Sequence, residues 1–240
     1  MTDGCIARGG PASGADVGVI LLDTDLPRPP GDVGNARSFD FPVHYEVAPG
    51  ASPERVVELS ASGLLEHFVD AGRRLAGRGA RALTTCCGFL AIYQRELAAR
   101  LDVPVATSSL LQVPLVLRML ADDARVGLIT INGASLGPAH FAGAGITEAE
   151  LSRVTVIGLE HTEHFYPVII GGKGDLDVRR AEAEVVAAAA GAVKRKPSIA
   201  AFVLECTNLP PYSRAIRAAT GRPVWDALTL INWLEQGARS

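Results

Sequence analysis

The chain has 240 residues, 48% hydrophobic and 20% charged, with a net charge of −3. Those proportions describe a globular protein with a sizeable core, and they give no electrostatic basis for binding nucleic acid or an anionic membrane. No apolar run reaches transmembrane length, and residues 1–16, rich in Gly and Ala, lack the apolar segment of a signal peptide, so a cytoplasmic location is expected. Four cysteines in such a protein do not suggest a disulfide framework. Cys5 falls in what reads as a disordered tail and is taken as incidental.

Val17 to Leu22 is a continuous apolar run, the pattern of a buried strand. It opens into a long loop, from Asp23-Thr24 to Gly34-Asn35, too rich in Pro and Gly for regular structure. Such a loop is either a stiff connection or part of a site. Val43, Tyr45 and Val47 alternate with polar residues as in a strand, and Ser52-Pro53-Glu54 starts a helix, with Ser52 as the N-cap. A break is expected at Ser62-Gly63, and the helical pattern then runs to Gly79. Arg81 to Cys87 reads as strand, thiols and turn, followed by a helical pattern over Leu90 to Arg100. Further strands are predicted at Val103 to Ala106, Val126 to Ile129 and Val154 to Ile157. The longest helical pattern, Asp177 to Lys196, closes on three basic residues that suit a helix C-terminus. The strand Ile199 to Leu204 leads into Glu205-Cys206-Thr207-Asn208 and then Pro210-Pro211, and a last strand and helix follow. This alternation argues for an α/β fold of parallel sheets with helices on both faces. No glycine-rich nucleotide signature follows any strand.

Cys87 and Cys206 each stand at the carboxyl end of a strand, before a turn and a helix, about half the chain apart. Open α/β sheets bind ligands at such ends, and a helix dipole there lowers a thiol's pKa. Two similar lobes facing one another across a cleft, one thiol on each side, follow from that placement. Adjacent strand residues point to opposite faces, so Cys87 is expected in the cleft and Cys86 in the core. Two opposed thiols suit inversion of a carbon next to a carboxylate, one removing a proton and the other delivering one. That chemistry requires neither metal nor cofactor. His161 and His164 lack the spacing of a zinc motif.

At these residues the chain resembles the aspartate/glutamate racemase superfamily, which includes hydantoin racemases, maleate isomerases and arylmalonate decarboxylases. Glu205-Cys206-Thr207-Asn208-Leu209-Pro210 is similar to the second cysteine motif of glutamate racemases, and Cys87-Gly88-Phe89 matches the first in its cysteine. Asp23-Thr24, Thr130 to Ser135, Val103-Pro104-Val105 and Val224-Trp225-Asp226 also fall in family order. Asn208 stands in place of a histidine or acidic residue, and Gly88-Phe89 in place of Asn-Thr, where the substrate's polar groups would be read.

The resemblance implies two flavodoxin-like lobes, 17–112 with 213–240 and 113–212, and a homodimer. It further implies a cofactor-independent racemase or epimerase, an isomerase, acting on a small carboxylate through Cys87 and Cys206. Thr207, Asn208, Ser135 and Thr24 are the candidate ligands of the carboxylate or other polar groups. Gly88 lies beside them, and Asp23 is the candidate for orienting a thiol or an ammonium group. The alternatives are a decarboxylase or cis–trans isomerase of the same superfamily, and a two-lobed protein that binds a small acid without turning it over.

Overall fold

A computed structural model describes residues 16–238; Cys5 and most of the tail read from the sequence lie outside them. Eight strands form two sheets of four. The first holds β1 (Val17–Leu21), β2 (Val43–Val47), β3 (Ala82–Thr85) and β4 (Val105–Ala106), in the order β2-β1-β3-β4. The second holds β5 (Arg125–Thr130), β6 (Val154–Gly158), β7 (Ile199–Leu204) and β8 (Val224–Trp225), in the order β6-β5-β7-β8. Every pairing is parallel, so each sheet is a flavodoxin-like lobe and the second repeats the topology of the first. Helices cover the faces of the central strands, which is why β1 and β7 are apolar almost throughout rather than alternating.

The local signals act as elementary chemistry requires. Ser52 accepts the Arg55 N–H and Pro53 opens the helix Pro53–Val57. That helix stops before Gly63, whose φ of 73° lies in the left-handed region glycine tolerates, and a second helix, Leu65–Gly77, follows. Asp177 caps the long helix Val178–Arg195 by accepting the N–H groups of Arg179 and Arg180. The expected helix after Cys87 begins instead as a 3-10 turn, Gly88–Tyr93, and becomes α-helical only over Gln94–Arg100. Among the described residues, no helix is long and apolar enough to cross a membrane.

One expected boundary is corrected. The sequence reading grouped 213–240 with the first lobe, but β8 pairs with β7, so this strand belongs to the second sheet. A strand, helix and parallel strand in succession return to the same sheet by a crossover, and the helix Ser213–Thr220 makes that connection here. The final helix, Ala227–Ala238, packs on β3 and β4 as well as β8 and so ties the lobes together.

In both sheets the chain crosses from one side to the other between the first and third strands. The crevice at such a switch point lies at the strands' carboxyl ends. The two crevices face each other, and one continuous buried apolar cluster runs through both sheets. The short helix Pro138–Gly143 of the second lobe sits so tightly on the 3-10 turn of the first that a Cβ on Gly143 would lie 2.0 Å from the Ala91 carbonyl oxygen. Gly143→Ala should therefore lower stability by about 1–3 kcal/mol, read as a lower denaturant midpoint at unchanged slope. A variant as stable as the parent would show that this contact is not close-packed.

Candidate active site

Cys86 and Cys87 follow β3, and Cys206 follows β7, the equivalent third strand of the other sheet. All three thiols line one nearly closed cavity between the lobes, with about 360 Å³ of empty space including its mouth. Its wall is otherwise mostly apolar, including Leu22, Leu26, Val57, Phe89, Ile131 and Ile169. Arg28 and Glu205 are its charged or acidic side chains.

The lobes are stitched together directly behind the thiols. Thr207 Oγ1 donates to the Cys86 carbonyl, and Val33 N–H donates to the Thr207 carbonyl at 3.4 Å. Asn208 Nδ2 donates to Asp32 Oδ2 at 2.6 Å, while Cys206 Sγ lies 3.5 Å from Asn208 Oδ1. Asp32 is wholly buried and also accepts from Arg28 at 3.1 Å and from the Gly34 N–H at 2.7 Å. Burial pushes its carboxyl pKa up, and Arg28, Gly34 and Asn208 pull it back.

Cys86 is buried in the apolar core, as expected, but it also faces the cavity. Its sulfur accepts the Leu22 N–H at 3.1 Å, stands 3.9 Å from an Arg28 nitrogen, and lines the cavity beside Cys87. Strand alternation fails here because β3 ends at Thr85, and the two cysteines occupy the bend beyond it.

Burial outweighs the backbone N–H groups of Phe89 and Asn208 that favour the thiolates of Cys87 and Cys206. Burial pushes Cys206 well above its ordinary pKa and the neighbouring Glu205 carboxyl adds to this. Cys87 rises well above for the same two reasons, with the other two thiols adding further. Cys86 is raised less far, by burial, with Arg28 opposing. Burial thus favours the thiol form of all three.

Of the residues singled out from the sequence, Cys87, Gly88, Cys206, Thr207 and Asn208 converge on the cavity. Asp23 and Thr24 do not: exposed Asp23 accepts the Gly50 N–H at 2.9 Å, and Thr24 lines a separate depression with Val168 and Gly174. Ser135 lies outside as well, because Asn132 Oδ1 accepts the Ala134 and Ser135 N–H groups and curls the chain, leaving Ile131 at the cavity. Sequence reasoning missed Arg28, Asp32, Glu205 and the cavity-facing role of Cys86. The available signals were the long Pro-rich loop, which carries Arg28 and Asp32, and the acidic residue directly before Cys206.

The chain is 34% identical over 232 residues to a dimethylsulfoniopropionate lyase of Durusdinium sp. clade D, covering 93% of this chain and 75% of that protein. It is 38% identical over 230 residues to dimethylsulfoniopropionate lyase 3 of Emiliania huxleyi, covering 90% of this chain but only 58% of the relative's length. No family model matches the chain. A mutant of arylmalonate decarboxylase has a similar structure, with a TM-score of 0.59 at 18% identity over 93% of this chain and 94% of that one. Allantoin racemase from Pseudomonas fluorescens also gives 0.59, at 16% identity over 92% and 89%. The fold is therefore that of the aspartate/glutamate/hydantoin racemase superfamily, as the cysteine motifs suggested.

The racemase and isomerase expectation is incorrect, since the relatives at 34–38% identity are lyases by name. The decarboxylase alternative agrees better with that class of reaction.

The thiols' raised pKa values carry a direct consequence. Only the thiolate alkylates, so iodoacetamide should modify Cys87 and Cys206 slowly at pH 7, and the rate should still be rising above pH 9. Peptide-level mass spectrometry on a Cys5→Ser chain reads each site; a rate that levels off below pH 8 would contradict the buried, unactivated state.

Proposed function

This chain belongs to the dimethylsulfoniopropionate lyase family, and we propose that it is a carbon–sulfur lyase releasing dimethyl sulfide from dimethylsulfoniopropionate to leave acrylate. The observation that carries the reading is the convergence of thiols and one guanidinium on a closed, apolar cavity. The proposed substrate is a zwitterion with a carboxylate at one end and a dimethylsulfonium group at the other. Arg28 supplies the charge to receive the carboxylate, and the apolar wall accommodates the methyl groups.

In the proposed reaction a thiolate removes a proton from the carbon next to the carboxylate. The electron pair left behind becomes the new carbon–carbon double bond as the carbon–sulfur bond breaks, and the bonding pair leaves with sulfur as neutral dimethyl sulfide. Charge accumulating on the carboxylate during proton removal is stabilised by Arg28 and by the Thr207–Asn208 turn. Elimination needs one base on one face, whereas inversion needs two. Cys206 is the better placed of the opposed pair, because Arg28 and the Asn208 N–H both favour its thiolate, whereas two neighbouring thiols weigh further against that of Cys87. The cationic substrate opposes the burial that keeps the thiol protonated.

Headspace chromatography for dimethyl sulfide, with proton NMR for acrylate, tests the reading. The chain should release both in equal amounts, faster as pH rises from neutral because thiolate is the reactive form. Cys206→Ser should reduce kcat/KM by at least about 10²-fold, and Cys87→Ser by less. Absence of dimethyl sulfide with the parent chain would reject the function, and an undiminished Cys206→Ser would reject the assignment of the base.

A further inference from the structure

The cavity holds one acid that neither the thiol chemistry nor the folding of the chain accounts for. Glu205 is fully buried, and Thr130 Oγ1 donates to its Oε2 at 2.8 Å. Its other oxygen, Oε1, has no hydrogen-bond partner among the described residues. Such an orphaned acceptor is costly in a protein interior unless something else satisfies it. The opposite lobe leaves room for it: a Cβ on Gly88 would lie 2.2 Å from Glu205 Oε1 and equally close to its carbonyl oxygen. The carboxyl of this cavity-lining residue therefore occupies space that any side chain at residue 88 would take.

Among the lining residues Arg28 is the sole cation and Glu205 the sole carboxylic acid. Asp32 offers no alternative, because Arg28, Gly34 and Asn208 already engage it. Arg28, whose guanidinium also pairs with Asp32, and the Glu205 carboxyl place one group of each sign on a mostly apolar wall, which matches a ligand carrying one charge of each sign. We propose that Glu205 is the residue that recognises the substrate's positive charge, its carboxylate acting as counter-ion to the sulfonium through Oε1. This inference rests on the function proposed above and adds the origin of cation specificity.

A sulfonium donates no hydrogen bond, so its recognition requires an anion or an aromatic face rather than a neutral acceptor. Burial keeps that anion masked. Burial pushes Glu205 up to about 8, against the one hydrogen bond from Thr130 that favours its charged form. Ionised Glu205 in turn raises the Cys87 thiol from the first lobe and the Cys206 thiol beside it, both of which burial already holds well above their ordinary pKa. Arg28 and Asp32 lie on the loop after β1, where both act on Cys206. A bound cation favours ionised Glu205, so binding below pH 8 expels a proton. Affinity for a cationic ligand should then fall about tenfold for each pH unit below that point.

Calorimetry with 3-(trimethylammonio)propionate and 4,4-dimethylpentanoate, which have the same shape and differ only in the positive charge, separates charge from fit. At pH 6.5, in two buffers of different ionisation enthalpy, the cationic probe should release close to one proton and the neutral-tailed one none. At pH 8.5 the cationic probe should bind on the order of tenfold or more tightly than its isostere. Glu205→Gln, which keeps the shape and the Thr130 contact, should abolish both the proton release and the preference, and should raise KM for dimethylsulfoniopropionate.

Proton release or cation preference that persists in Glu205→Gln, or a KM that does not change, would overturn the proposal. Wild-type pH dependence gives an independent reading should the variant fold poorly: equal affinity for the two probes at pH 8.5 also overturns it. If the parent chain turns over dimethylsulfoniopropionate without cation preference, Glu205 alone loses its role. If it binds neither probe and turns over nothing, the lyase reading itself falls.

Discussion

The site depends on a carboxylate sealed at the seam between the two lobes. Asp32 has no access to water, and a carboxylate there without partners would be several kcal/mol too costly. Its three partners come from Arg28, from the Gly34 backbone and, across the seam, from Asn208. Satisfying this group therefore couples three things that would otherwise vary independently: the path of the loop after β1, the turn after β7, and the closure of one lobe on the other. Arg28 is held beside Cys86 and Asn208 beside Cys206 by the same constraint. Tyr45 adds to it by donating to the Val33 carbonyl, so the loop is clamped on both sides of Asp32.

The scaffold and the proposed chemistry are compatible for a simple reason. Inverting a centre next to a carboxylate and eliminating a group one carbon further along both begin with loss of the same proton. A racemase must then return a proton to the opposite face, whereas an eliminating enzyme must allow the leaving group to depart. Opposed cysteines at equivalent strand ends are thus no proof of inversion. The asymmetry between them is more informative: Arg28 lies where it can act on Cys86 and Cys206, and Glu205 burdens Cys87 and Cys206. The thiols are further from ionisation than a free cysteine because burial outweighs every favourable contact.

Glycine contributes at two points of the seam by what it lacks. Gly143 lets the second lobe's short helix rest against the Ala91 carbonyl, and Gly88 leaves room for the Glu205 carboxyl. Around them the contacts are specific rather than merely apolar. The Phe89 and His140 rings meet edge to face at 5.1 Å, and Ser109 donates from the first lobe to the Leu204 carbonyl of the second. The cavity is consequently defined by surfaces from both halves of the chain.

The α/β class, most strand and helix positions, the break near Gly63 and the cysteine-bearing strand ends were all legible in the amino-acid order. Each rests on local physics: apolar runs mark parallel strands buried on both faces, and Ser52-Pro53 or Asp177 satisfies the first N–H groups of a helix. The place of Cys206 at a strand end and the approach of Thr207 and Asn208 to the cavity also followed, because they continue directly from β7. The partnership of Asn208 with Asp32, 176 residues away, did not follow, nor did that of Thr207 with the Cys86 carbonyl, 121 residues away. Equally hidden were the sheet to which β8 belongs, the exclusion of Asp23, Thr24 and Ser135, and the unpaired oxygen of Glu205. Periodicity and capping report only what a residue does to its neighbours within a turn or two. Convergence on a cavity, and the charge state of groups held there, arise from contacts between distant segments, and only the closed tertiary structure decides them.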